Sequence, residues 1–257
     1  MNASPSRRAF GVGSAKSGTH ALAAIGEARA AHEAESRPLL QLVLAHESGR
    51  LSSAAFDRML GQMLGRRDLD LDVSQINGFA IQALVRCFPQ ALYILTIRDA
   101  AGWLRSFVNH QLTIPVADGS EWRAFRDLRF AAPPRPFTRQ DEVLERYGLY
   151  PVDSYLHYWL RHNRQVLEAV PKPQLLIVAT ADLGASADRI AEFLGWPSPA
   201  AAPPGQRVFA GRYADSPLDE IDERWLAGRV AAYTAELLAA AGAQFDSGII
   251  AALTEPR

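Results

Sequence analysis

Residues 10–22 read FGVGSAKSGTHAL, and the place of one lysine within them decides how the chain is read. A short β-type run, RAFGVG (8–13), ends in glycines. The loop follows, and then THALAAIGEARAAH, which has helical character. Strand, glycine loop and helix is the context in which backbone N–H groups and the helix dipole gather anionic oxygens. In an ATP-binding loop of the Walker type the lysine comes directly after the last glycine. Here the order is Lys16-Ser17-Gly18-Thr19, with the lysine ahead of the glycine. Ser17, Thr19 and His20 offer side-chain donors, and Lys16 a full positive charge just before the helix. An anion site is one reading of this loop; a plain strand–turn–helix junction with an exposed lysine is the other.

The rest of the chain repeats the strand–helix pattern. ALYILTI (91–97) reads as a buried strand and AAGWLRSFVNHQL (100–112) as the helix after it. LLIVATADL (175–183) and SADRIAEFLG (186–195) form a second pair, with Pro197 beyond the helix end. LDLDV (69–73) alternates as a strand does. SSAAFDRMLGQMLG (52–65) has helical spacing, and GFAIQALVRCF stops before Pro89. The alternation predicts an α/β fold, three layers deep, with a mostly parallel central sheet covered on both faces. Arg98 falls at the carboxyl end of the 91–97 strand, where open α/β sheets bind ligands. Ser106 follows eight positions later, a little over two helical turns on. An arginine fork with a serine hydroxyl suits a second phosphate. The plainer alternative pairs Arg98 with Asp99 and leaves Ser106 facing solvent.

The 257 residues suffice for one α/β domain spanning 1–257, with 48% hydrophobic and 21% charged residues. A net charge of −1 argues against a nucleic-acid binder, so a polyanionic ligand must be held by a few placed cations. Cys87, the one cysteine, lies in apolar ALVRCFP and reads as a structural thiol. The N-terminal residues contain no signal-peptide-like apolar run, and no window reaches the roughly 18 apolar residues of a membrane span. A cytoplasmic protein is expected, and the Ala- and Arg-rich composition suggests a GC-rich bacterial genome. Residues 113–151, with AAPPRPF, and 197–217, with PSPAAAPPGQ, show little periodicity and read as long loops over one face. No His, Cys or carboxylate spacing suggests a metal site.

Two motifs together carry a resemblance. GSAKSGT resembles the 5′-phosphosulfate loop of the PAPS-dependent sulfotransferases, commonly K-x-G-T-T or R-x-G-T-T, where PAPS is 3′-phosphoadenosine-5′-phosphosulfate. IRDAAGWLRS resembles their 3′-phosphate motif, an arginine followed eight positions later by a serine. YLHYWLRHNRQVLE and LLIVATADL…ADRIAEFLGWP look like the family's later helix and its closing strand–helix pair. The resemblance runs from about Phe10 to Pro197 and implies a P-loop NTPase-like sulfotransferase fold. It also implies in-line transfer of a sulfuryl group to a hydroxyl or amine of a small-molecule or glycan acceptor, with no metal.

On that resemblance Ala15, Lys16, Ser17, Gly18, Thr19 and His20 hold the 5′ end of the cofactor, and Arg98 and Ser106 its 3′-phosphate. Lys16 stabilises the leaving oxygen. His20 stands where the family has a second threonine, and Ala21 where the cytosolic aryl and steroid branch has tryptophan. The nearest substitutes for that branch's C-terminal arginine are Arg207 and Arg212. The chain therefore looks closer to the bacterial and glycan-type branch. A general base is implied from AAHEAES: Glu33 first, then His32, with Glu35, His46 and His110 as further residues facing the acceptor. Trp122, Phe125, Phe130, Phe137, Tyr147 and Tyr150 of 113–151 are candidates to line an acceptor pocket or lid.

Two rivals are distinguishable from sequence. A P-loop kinase or NTPase wants its lysine after the glycine, which is absent here, and an acid for magnesium, which Asp99 can mimic. A non-catalytic nucleotide-binding module has no need of Lys16 or a base.

Overall fold

The computed structural model describes residues 8–66, 69–131, 133–197 and 215–255. In chain order these form β1 (Ala9–Gly11), α1 (Thr19–Ile25), β2 (Ala30–His32), α2 (Ser36–Glu47), α3 (Ser53–Gly65), β3 (Leu71–Val73), α4 (Ile81–Cys87) and β4 (Leu92–Ile97). There follow α5 (Ala100–Thr113), α6 (Glu121–Phe130), α7 (Glu142–Arg146), α8 (Val152–Ala169), β5 (Leu175–Ala179), α9 (Ala187–Leu194), α10 (Glu223–Ala241) and α11 (Ser247–Thr254). The described residues of Met1–Ile97 and Gln165–Val208 make one compact unit, and those of Arg98–Arg164 and Phe209–Arg257 another.

The first unit is built on a five-stranded sheet in the order β2-β3-β1-β4-β5. Every strand pair in it is parallel. Side chains alternate across a strand, so each strand feeds two layers. On one face Ala9, Leu71, Val73, Ile94 and Val178 pack with Leu22 of α1 and Ile190 and Leu194 of α9. On the other, Phe10 lies 5.3 Å from Phe88, just past α4, and 5.8 Å from Tyr93. Helices thus cover both faces, as the alternation predicts. α3 and α4 pack against each other. Between them the Cys87 thiol donates to the Asp57 carbonyl at 3.2 Å. Burial pushes that thiol's pKa up, which fits a structural cysteine.

One strand is absent from the sequence reading, which carries the first helix through residue 32. The helix ends at Ile25 with Gly26 as its cap. A Cβ on Gly26 would sit 2.5 Å from Ala30 Cβ, so the chain turns there at close quarters. Ala30-Ala31-His32 then pairs with Leu71, Asp72 and Val73. These residues have little intrinsic β preference; the ladder offered by β3 overrides propensity.

In the second unit, α5 buries Trp103, Leu104, Phe107 and Val108 on one side. The region 113–151 is not the irregular loop expected, since it contains α6 and α7. Ser120 caps α6, its hydroxyl accepting from Arg123 N at 3.1 Å. The buried positions of α6 are Phe125, Arg129 and Phe130, and the arginine masks the apolar period. Its guanidinium lies 3.9 Å from the Phe125 ring centre, with Phe107 and Tyr158 further round it, so π faces accommodate the charge. Buried Asp141 accepts from Thr138 N, Thr138 Oγ1 and Val152 N, fixing the approach to α8. A bidentate Arg229–Asp153 pair, at 2.8 and 2.7 Å, ties α10 to α8. No helix among the described residues is long and apolar enough to cross a membrane.

Candidate functional site

The strand order sets the site. β1 has β3 on one side and β4 on the other, so successive connections leave β1 in opposite directions. The crevice outside the carboxyl ends of the strands at such a point is where open α/β sheets take ligands. The loop Val12–Gly18 leaves β1 there.

Its shape comes from close packing and from hydroxyls on neighbouring strands. A Cβ on Gly13 would lie 1.9 Å from Thr96 Oγ1 and 2.7 Å from Ser17 Oγ, so only glycine fits between β4 and the loop. Val12 N donates to Ile94 O at 2.9 Å. The Ser17 hydroxyl donates to Ser14 O at 2.6 Å and lies 3.1 Å from Thr96 Oγ1. Ser17 N also donates to Ser14 O, at 3.2 Å. Both donors of Ser17 are therefore committed inside the loop. In this arrangement Ser17 shapes the loop. From the end of β5, Thr180 Oγ1 reaches Ser17 O at 2.7 Å and Ile97 O at 3.1 Å.

Gly18 then opens α1 with φ 91°, a left-handed turn with no side-chain cap. A Cβ there would strike Leu183 at 2.5 Å. Lys16 also adopts left-handed φ, 68°, which costs a non-glycine residue on the order of 1 kcal/mol. Ala15 is buried and Lys16 half-buried.

Beyond α1, β2 delivers the candidate base residues to the same edge of the sheet. His32 Nε2 lies 3.1 Å from Thr19 Oγ1, and the His20 and His32 rings stack with centres 3.7 Å apart. Burial first, and then the His20 charge, lower the His32 pKa to about 4. Burial also lowers the His20 pKa, with Glu33 opposing and Lys16 assisting. Glu33 has φ 55°. Its two carboxylate oxygens accept from Ser74 Oγ and Gln75 N, each at 3.0 Å. Lys16, Glu33 and Glu27 are the non-glycine residues with positive φ among the described residues, and two of them are the candidate lysine and base.

The other candidates are placed differently. Glu35 sits at the cap position of α2 without a side-chain capping bond. His46 does not join this cluster. Its Nδ1–H donates to Leu51 O at 3.1 Å and its ring stacks on Phe56 at 4.7 Å, closing the turn between α2 and α3. In the second unit, Arg98 Nε is 4.0 Å from Asp99 Oδ2, and the Arg98 carbonyl accepts from Trp159 Nε1 at 3.0 Å. Asp99 Oδ1 caps α5 by accepting from Gly102 N at 2.6 Å. A Cβ at Gly102 would fall 3.1 Å from Arg98 Nε, so that glycine keeps room for the arginine. Ser106 is half-buried on α5, and His110 meets Phe107 edge-on at 6.4 Å.

Phe125 and Phe130 are core residues. Phe130 lies 5.3 Å from Phe107 and 4.6 Å from Tyr155. Trp122 and Tyr147 are exposed, while Phe137 and Tyr150 are half-buried, with the Tyr150 hydroxyl donating to Asp127. Arg207 and Arg212 lie outside the described residues. No group of three or more His, Cys, Asp or Glu among the described residues is arranged to hold a metal. The sequence reading missed Thr96, Thr180, Ser74 and Gly102. The signal for the first three was their position at strand carboxyl ends.

A family model for the sulfotransferase domain matches residues 10–206. The chain belongs to the sulfotransferase family. A solved sulfotransferase from Alicyclobacillus acidocaldarius shares the fold with a TM-score of 0.51 at 14% identity, over 93% of this chain and 96% of that one. Ava biosynthesis cluster protein M of Aspergillus versicolor is 29% identical over 148 residues, 54% of this chain and 53% of that protein. The alignment thus spans about half the length of that curated relative. Sulfuryl transfer is the chemistry this family membership supports.

Proposed function

We propose that the protein is an enzyme that transfers the sulfuryl group of PAPS to a hydroxyl or amine of a small-molecule or glycan acceptor. The observation that carries this is Lys16. In a chain of the sulfotransferase family it stands ahead of Gly18 in left-handed conformation, on a loop braced by Thr96 and Thr180. Gly13 and Gly18 let the loop pack closely against Thr96 and Leu183, which fixes its backbone in place.

The loop holds the 5′-phosphosulfate, and Arg98 with Ser106 holds the 3′-phosphate. The acceptor oxygen attacks sulfur as the bond from sulfur to the bridging phosphate oxygen breaks. Adenosine 3′,5′-bisphosphate leaves, and the acceptor proton passes to a base. Lys16 offsets the charge that builds on the leaving oxygen. Glu33 takes the proton, its carboxylate held by Ser74 and Gln75 so that it need not reorganise. Asp99, the magnesium mimic in the kinase reading, is engaged as the cap of α5. A small-molecule acceptor is favoured by the relative's name, which places that protein in a biosynthesis cluster.

The test is formation of adenosine 3′,5′-bisphosphate from PAPS with a panel of phenol, sugar and amine acceptors. Turnover that falls about 100-fold in Glu33→Gln, with nucleotide affinity kept, is expected. Unchanged turnover in that variant would remove Glu33 from the mechanism.

A further inference from the structure

Two histidines stand at the start of α1, where the glycine loop ends; His20 is read as a donor to the 5′ end of the nucleotide, and His32 has no assigned task once Glu33 is the base. His20 is the second residue of α1 and His32 the last of β2. Their rings lie face to face, 3.7 Å between centres and 29° between planes. Two imidazolium rings at that separation repel strongly, so the pair holds at most one proton with ease. His32 Nε2 is also 3.1 Å from Thr19 Oγ1.

The direction of that last bond matters. A hydroxyl has one proton to donate, while an imidazolium nitrogen can only donate. When His32 is neutral with Nε2 unprotonated, Thr19 donates to it and the hydroxyl proton is engaged. When His32 is protonated, the bond must reverse: Nε2–H donates to Thr19 Oγ1, and the hydroxyl proton is released to another acceptor. Thr19 is the first residue of α1, directly after Gly18.

We propose that the stacked His20–His32 pair takes up a proton when the anionic 5′ end of the nucleotide enters the loop, and that His32 thereby acts as a positioning residue, turning the Thr19 hydroxyl toward the ligand. This rests on the donor assignment above and adds a proton to its binding step.

The groups around the pair are of mixed sign. Lys16 comes from the loop and Glu33 from the exit of β2, and both act on His20. From β3, Ser74 engages Glu33, while Asp72 pairs with Ala31 and so points to the opposite sheet face from His32. From α9 the residues in the shared core are apolar Ile190 and Leu194, with Leu183 just before it. Burial keeps both rings' pKa values below the ordinary one in the ligand-free chain, so they begin neutral near pH 7. An incoming dianion reverses the balance that burial and Lys16 set.

The sign follows from linkage. The bound state carries more protons, so affinity rises as pH falls, by up to about tenfold per pH unit for one proton. The experiment is calorimetric titration with adenosine 3′,5′-bisphosphate at about pH 6.5, near the ordinary imidazole pKa, in two buffers of different ionisation enthalpy. Wild type, His32→Gln and His20→Phe are compared. The nucleotide's own phosphate titration is common to all three and cancels in the difference.

Wild type is expected to take up on the order of half a proton more than His32→Gln. That variant, whose amide can donate to Thr19 at any pH, is expected to bind with a flatter pH profile. His20→Phe keeps a stacked ring but removes a side chain read as holding the 5′ end, so it is expected to bind more weakly and to lose part of the uptake. It carries the test if His32→Gln does not fold. Equal proton counts in wild type and both variants would overturn this inference and leave the donor assignment standing. Failure of the wild type to bind the nucleotide would overturn the donor assignment itself.

Discussion

The glycine loop of the first unit and the aromatic cluster of the second both gather chemistry-bearing side chains, and they use them in opposite ways. In the loop, the backbone is strained at Lys16, glycine is forced at Gly13, and hydroxyls from β4 and the end of β5 brace the turn. In the cluster, Phe107, Phe130, Tyr155 and Tyr158 meet ring to ring, and Arg129 lies over Phe125. Strain held by polar braces is what a binding site needs, because it presents charge in a fixed place. Interlocked rings without strain are what a core needs. Residue type alone does not separate the two; the hydrogen-bond partners and the backbone do.

That contrast can be broken at several points. If the aromatic cluster is packing, Phe130→Ala should lose about 3–5 kcal/mol of stability in denaturant unfolding, the range for a buried aromatic truncated in place. A loss under 1 kcal/mol would mean that the cluster tolerates a void and has some other task. If Lys16 serves the leaving oxygen, Lys16→Ala should lower turnover of PAPS by about 100- to 1000-fold, as removal of a transition-state donor does. Its melting temperature should stay about the same, since alanine keeps the Cβ that the left-handed backbone at this position strains. Normal turnover in that variant would sink the mechanism.

Thr180→Val keeps the shape at the end of β5 and removes the one hydroxyl proton that the Ser17 and Ile97 carbonyls share. About 1–3 kcal/mol should be lost, with weaker nucleotide binding, because the Ser17 carbonyl is left buried without that donor. Nucleotide affinity unchanged in a destabilised variant would make Thr180 a brace for the fold alone.

The smallest effect concerns pH. His32 has its pKa lowered from 6.5 to about 4, so as pH falls the unfolded chain takes up its proton first. Stability contributed by the neutral ring should therefore be present above about 6.5 and decline toward 4. Urea midpoints measured across that window should fall with pH less steeply in His32→Gln than in wild type. Equal slopes would show that His32 is not held neutral.

How much of this was legible in the sequence depended on the range of the interaction. β1, β4, β5 and the helices after them follow from local pattern, as does the glycine loop. β2 was not legible because Ala30-Ala31-His32 resembles helix and becomes strand only beside β3. α6 was missed because Arg129 occupies a buried position that normally marks a solvent face. Lys16 was singled out from its place in the loop, and Glu33 from the resemblance to the sulfotransferases. Thr96, 79 residues from the Ser17 it meets, and Thr180, at a separation of 163, were overlooked as braces of the loop. Their position at strand carboxyl ends was a signal, but the partner across such a distance leaves no local trace.

The most direct test of the central claim is calorimetric titration of the wild-type protein, without magnesium, with adenosine 3′,5′-bisphosphate, AMP and ATP in turn. Binding of the bisphosphate in clear preference to both others, lost in Arg98→Ala, is the predicted result. Preference for ATP that appears only when magnesium is added would contradict it.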